Sequence, residues 1–169
     1  FIILTLTVIA ACFQAIALPA TYQNPIIKES IPDPTVLRAE DGFFYLMGTE
    51  DIWNIPIFRS PDLVNWTQIG TVFDRDTRPA EGQVWAPELC HIHGKYVLFY
   101  SVNLPDADNY ANYLGYAVAD HPSGPWTNRG KLFDGNDVGC DNTIDPFYFS
   151  DAGKHYLFWG STTNMWAME

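Results

Sequence analysis

Positive charge, cysteine and helical periodicity are all scarce in this sequence. Lys and Arg number 9 against 20 Asp and Glu, giving a net charge of −11. A nucleic-acid binder carries a basic face, and an anionic bilayer attracts basic segments, so neither partner suits the chain. Three cysteines, Cys12, Cys90 and Cys140, are a thin basis for a disulfide framework. Charged residues are only 17% while aromatics reach 15%, which excludes a disordered chain. No stretch of about a dozen residues keeps apolar side chains at helical spacing, because scattered prolines and glycines interrupt every candidate. No apolar run is long enough to span a bilayer.

What is present at the N-terminus is an apolar, uncharged segment. Phe1 to Ala20 has no charged residue, and Phe1 to Ala11 has the length of a signal-peptide core. Ala15-Ile16-Ala17 reads as a cleavage site, with the cut after Ala17. Ile9-Ala10-Ala11-Cys12 reads alternatively as a lipoprotein box, which would make Cys12 a lipid anchor. A buried N-terminal strand or helix is the third reading. Residues 1–17 are thus expected to be a partial signal, and 18–169 the N-terminal part of an exported domain, secreted or held at the cell surface. Export permits a disulfide between Cys90 and Cys140, and a pair of free buried thiols is equally consistent. Cys90, His91 and His93 with Glu88 invite a metal reading, but His93-Gly94 reads as a turn and no second cluster follows, so no metal site is assigned.

Internal repetition carries the fold. Asp33-Pro34-Thr35-Val36-Leu37, a turn at Asp41-Gly42 and Phe43-Phe44-Tyr45-Leu46-Met47 form one hairpin pattern. The pattern returns as Ala86-Pro87-Glu88-Leu89, His93-Gly94 and Lys95 to Tyr100, then as Asp145-Pro146-Phe147-Tyr148-Phe149, Gly153 and Lys154 to Trp159. A second half repeats as well. Trp66-Thr67, Gly70 and Val72-Phe73 reappear as Trp126-Thr127, Gly130 and Leu132-Phe133, each after a third strand, Ile57 to Ser60 or Tyr116 to Ala119. Asp106 to Gly115 has room for a helical turn but reads better as a loop between strands. Four strands per unit at a period of roughly 50–60 residues predict an all-β chain of β-propeller blades, of which about two and a half to three fit here. The chain begins with Phe1 rather than Met and stops at Glu169 inside a strand pattern, so it reads as an N-terminal fragment, expected to be inactive and poorly stable alone.

In a propeller the innermost strands begin at one mouth of the central channel. Those positions are Asp33, Ala86 and Asp145, two of them carboxylates and all followed by proline. Two carboxylates aimed into one cavity suit acid–base chemistry on a sugar. Asp-Pro is also good strand-start chemistry on structural grounds alone. Trp85, Glu88 and Asn142 lie next to these starts, where an indole stacks on a sugar ring and polar groups bond hydroxyls. Ordinary core packing competes for Trp85, and Trp66 and Trp126, being repeat-equivalent, are expected to pack between blades.

Several motifs together resemble glycoside hydrolase family 43: Asn24-Pro25, Pro32-Asp33-Pro34-Thr35, Ser60-Pro61-Asp62-Leu63-Val64-Asn65-Trp66, Val84-Trp85-Ala86-Pro87-Glu88 and Thr143-Ile144-Asp145-Pro146. The resemblance runs from about Asn24 to the end of the chain and implies a five-bladed propeller. It also implies hydrolysis, with inversion, of plant polysaccharides containing arabinose or xylose. Asp33 matches the general base and Asp145 the carboxylate that orients the general acid and tunes its pKa. That acid, a Glu in the following blade, has no match here, since Glu169 falls too early. No cofactor is implied with certainty. A structural calcium occurs in parts of the family, with ligands expected beyond Glu169. The expected partner is a plant cell-wall oligo- or polysaccharide, the expected state a monomer. A non-catalytic carbohydrate-binding propeller is the alternative, since it would keep the same polar mouth without needing a base.

Overall fold

The structure, a computed structural model, describes residues 22–50, 53–79, 82–160 and 164–169. Residues 1–17, with the signal and lipoprotein readings and Cys12, lie outside the described residues. Among the described residues, no helix is long and apolar enough to cross a membrane.

Eleven strands form three antiparallel sheets among the described residues. The first sheet runs β1 (Thr35–Arg38), β2 (Phe44–Met47), β3 (Pro56–Ser60) and β4 (Thr67–Thr71) in chain order. The second repeats this as β5 (Gln83–Ile92), β6 (Lys95–Asn103), β7 (Tyr113–Ala119) and β8 (Thr127–Asp134). The third contains β9 (Phe147–Asp151), β10 (Lys154–Trp159) and β11 (Trp166–Met168). Each is a meander whose first strand lies innermost, the arrangement of successive propeller blades. The chain is therefore all-β and propeller-type. Helical structure is confined to a 3-10 turn at Asn109–Ala111 and α1, a single turn at Gly135–Val138.

Residue alternation explains the packing. In β6, Tyr96, Leu98, Tyr100 and Val102 face the first blade, while Phe99 faces the third. The inner three strands of the middle blade, β5 to β7, pack on both faces and read as largely apolar runs, whereas the outer strand β8 is mostly exposed. One core joins Tyr45, Met47, Ile57 and Phe73 of the first blade to Leu98, Tyr100, Val102 and Trp126 of the second. A smaller core joins Leu114 and Phe133 to Leu157 and Trp159. Aromatic edges cross both joints, Phe73 on Tyr100 at 5.3 Å and Phe133 on Trp159 at 4.9 Å between ring centroids. Each fully buried side chain of this size contributes roughly 1.5–3 kcal/mol, so the joints are the main stabilising surfaces. The indole of Trp126 is buried there and donates to the Pro122 carbonyl at 3.1 Å, as expected for a packing tryptophan.

Two boundaries differ from the sequence pattern. Strand β5 starts at Gln83, ahead of the Ala86-Pro87 pair, because the register shifts between Trp85 and Glu88. That bulge takes up the proline, which cannot donate to a regular ladder. Strand β7 begins at Tyr113, so the expected loop from Asp106 to Gly115 is shorter and holds the 3-10 turn.

Candidate active site

Three Xaa-Pro pairs meet at one end of the innermost strands. Asp33-Pro34, Ala86-Pro87 and Asp145-Pro146, with Thr35 and Glu88, line a cavity of about 200 Å³. A larger hollow, about 560 Å³, lies over the outer strands of the second blade near Lys95 and Arg129. It carries none of the convergent carboxylates.

Asp33, Ala86 and Asp145 share an unusual backbone, with φ of 52°, 42° and 54°. A residue with a β-carbon in this left-handed region costs on the order of 1–3 kcal/mol unless its surroundings hold it there. For Ala86 and Asp145 the preceding blade supplies that hold. Thr49, just after β2, accepts the N–H of Ala86 on its hydroxyl at 2.9 Å. Ser101, in β6, accepts the N–H of Asp145 at 2.9 Å. Both side chains are buried, Thr49 at 6% exposure and Ser101 at 0%. The same Thr49 hydroxyl donates to Asp33 Oδ2 at 3.1 Å, and the Thr49 N–H donates to the Pro32 carbonyl at 2.9 Å.

Glu88 ties the three innermost strands together. Its Oε2 accepts from the Thr35 hydroxyl of β1 at 3.0 Å, and its Oε1 accepts from the Tyr148 N–H of β9 at 3.2 Å. Thr35 in turn accepts the Leu89 N–H at 3.2 Å. Burial pushes the Glu88 carboxyl above its usual pKa, opposed by the Thr35 and Tyr148 hydrogen bonds.

The site residues expected from sequence separate into two groups. Asp33, Glu88 and Asp145 come together on the cavity wall. Trp85 and Asn142 are not part of that wall. Trp85 is half-buried in β5, opposite Ser101 in the ladder. Asn142, at φ 50°, shapes the approach to Asp145: its N–H donates to the Asn109 carbonyl and its carbonyl accepts the Ile144 N–H. Thr35, Thr49 and Ser101 were not singled out from sequence. Thr49 and Ser101 fall at the same point of the aligned second strands, Tyr45 to Thr49 and Val97 to Ser101, so the repeat itself carried the signal.

Cys90 and Cys140 are both free and buried. Burial, followed by the charge of Glu88, raises the Cys90 thiol pKa, while the Cys140 sulfur accepts from the Trp159 indole at 3.3 Å. The Cys90-His91-His93 run gathers no cluster of three possible metal ligands among the described residues. Instead, His91 stacks on Tyr96 with 4.6 Å between centroids.

Comparison with known proteins identifies the family. A "Xylosidase/arabinosidase" of Butyrivibrio fibrisolvens is 31% identical over 140 residues, covering 79% of this chain and 25% of the relative. A "Probable arabinan endo-1,5-alpha-L-arabinosidase B" of Aspergillus oryzae is 33% identical over 144 residues, covering 78% of this chain and 39% of the relative. The chain thus spans well under half the length of these relatives. Among solved structures, a thermostable family-43 glycoside hydrolase superposes with a TM-score of 0.70 at 30% identity, over 82% of this chain and 44% of that one. The native arabinanase of Bacillus subtilis gives 0.65 at 29% identity, over 79% and 49%. The description "Glycosyl hydrolases family 43" matches residues 22–168, and the chain belongs to that family.

Proposed function

We propose that this protein hydrolyses glycosidic bonds in arabinose- or xylose-containing polysaccharides with inversion at the anomeric carbon. The observation that carries the reading is the meeting of Asp33 and Asp145 in one small cavity, each at the start of an innermost strand. Family membership and the names of the relatives, which include both arabinan- and xylose-directed enzymes, support the substrate class.

Asp33 acts as the general base. Its carboxylate takes a proton from a water lying on the face of the sugar opposite the leaving group. The water oxygen bonds to the anomeric carbon as the glycosidic C–O bond breaks. A carboxylic acid on another blade gives its proton to the departing oxygen. In inverting enzymes the two carboxyl groups stand roughly 6.5–9.5 Å apart, which leaves room for the water. Asp145 flanks the acid, and a neighbouring negative charge disfavours ionisation of that acid before it has donated. Glu88 holds the cavity wall and offers a polar edge to the sugar.

Replacement of Asp33 by Asn in the natural full-length protein tests the reading, because it keeps size and removes the base. The kcat on aryl arabinofuranosides or xylosides is expected to fall by about 10²–10⁴. Wild-type kcat in a folded Asp33→Asn protein would sink the base assignment. The uncharged segment Phe1 to Ala17 supports export as part of the same proposal. Mass spectrometry of the mature protein should find a start near Leu18 or a lipidated Cys12, and an unprocessed cytosolic form would contradict it.

A further inference from the structure

The hydroxyl of Thr49 stands between two groups of opposite demand. On one side the Ala86 N–H can only donate, and on the other the Asp33 carboxylate, when ionised, can only accept. The hydroxyl proton is therefore aimed at Asp33 Oδ2. Thr49 is almost fully buried, so its hydroxyl is held by the fold on the inner side of the exposed Asp33 carboxylate. Its backbone reinforces the same grip, since the Thr49 N–H holds the Pro32 carbonyl. Gly48 makes this approach possible. A β-carbon there would stand 2.3 Å from Ile31 Cγ2 and 3.0 Å from the Pro32 oxygen. Among the described residues no donor reaches the other carboxylate oxygen, Oδ1.

We propose that Thr49 is the positioning residue of the Asp33 carboxylate: it holds Oδ2, so that Oδ1 is the oxygen presented to the attacking water. This rests on the reading of Asp33 as the base. A carboxylate on a single Cβ–Cγ bond turns through a broad range unless one oxygen is fixed. Fixing one oxygen from within the fold, rather than by a contact to the sugar, prepares the base before substrate arrives. The hydroxyl then affects the chemical step and not binding of the ground state.

The test compares Thr49→Val, which keeps shape and loses the hydroxyl, with Thr49→Ser, which keeps the hydroxyl and loses the methyl. Both are made in the natural full-length protein, assayed on an aryl arabinofuranoside and an aryl xyloside, and checked for cooperative unfolding. Thr49→Val is expected to lose about 10- to 100-fold in kcat with KM within about two-fold, and Thr49→Ser to restore kcat to within about three-fold of wild type. Wild-type kcat in Thr49→Val overturns the proposal, as does a Thr49→Ser loss equal to that of Thr49→Val, or a change confined to KM. If Thr49→Val does not fold, Thr49→Ala against Thr49→Ser makes the same comparison, and equal rates overturn the proposal. An inactive Asp33→Asn beside a fully active Thr49→Val removes the positioning role alone. An active Asp33→Asn removes the base assignment and the positioning role with it.

Discussion

Ser101 and Asp145 sit in different blades, yet the hydroxyl oxygen of Ser101 is 2.9 Å from the backbone nitrogen of Asp145. The bond fixes where the innermost strand of the third blade begins, and with it the direction of the Asp145 side chain. Ser101→Ala leaves that N–H without its acceptor. A lost partner of this kind costs about 1–3 kcal/mol, and thermal or denaturant unfolding of the variant should show a loss in that range. Unchanged stability would mean that the contact does not anchor the strand.

Glu88 yields a pH dependence. Its folded carboxyl has a pKa above the ordinary value of 4.5, chiefly through burial. The neutral form is therefore favoured by folding. Its contribution to stability is complete below pH 4.5 and is lost as the pH rises through the raised value. Glu88→Gln cannot ionise, so its unfolding midpoint should gain on wild type from pH 4 towards neutrality. A difference between the two that does not change with pH would contradict this account.

Asp62 has the opposite sign. Its carboxylate accepts the Asn65 N–H at 2.8 Å, the Asn65 side-chain amide at 2.7 Å and the Val64 N–H at 3.0 Å. These bonds, the backbone N–H of Asn65 first, hold its pKa down to about 2. Its stabilisation is complete above the ordinary 3.8 and is lost as the pH falls through about 2. Asp62→Ala should therefore lower the midpoint at pH 6, with the deficit narrowing below pH 4. NMR titration of the Asp62 carboxyl checks the same point directly.

Gly115 is required by a ring. A β-carbon there would lie 2.4 Å from Tyr100 Cε2 and 2.5 Å from Cζ, with the Tyr100 hydroxyl already committed to Asn128 at 2.6 Å. The ring is fully buried and has no room to yield. Gly115→Ala should cost about 1–3 kcal/mol, measured as a fall in denaturant midpoint.

Much of the architecture was legible because the hairpins announce themselves. Asp41-Gly42, His93-Gly94 and the Gly153 turn each separate two apolar strands, and the repeat multiplies a signal that would be weak once. Asp33 and Asp145 were legible for the same reason, as the same residue before the same proline. The start of β5 was not, because Pro87 looks like the beginning of a strand when it sits in a bulge within one. The turn at Gly135–Val138 is shorter than any helical period can reveal, while the one at Asn109–Ala111 falls where the sequence left room for a helical turn. Thr49 and Ser101 escaped notice because a small hydroxyl has no composition signature; its meaning depends on which N–H the neighbouring blade brings opposite. Trp85 and Asn142 stand beside the small cavity and not on its wall, Trp85 in the β5 ladder and Asn142 in the turn before Asp145.

Hydroxyl anchors that reach from one sheet into the next shift the unit of inheritance. By hydrogen-bonded strands, a blade runs from Thr35 to Thr71, or from Gln83 to Asp134. By what sets a reactive side chain, the unit runs from the second strand of one blade to the opening residue of the next. A chimera cut between Val72 and Gly82, at the seam between sheets, would separate Thr49 from the Ala86 backbone it was matched to. A cut between Asp41 and Gly42 would keep Thr49 with Ala86 and Ser101 with Asp145, but would part Thr49 from Asp33 and Thr35 from Glu88. Seam and surface turn alike separate a hydroxyl from the group it holds, so recombined relatives should lose stability at either junction, contrary to the picture of a ring of separable modules.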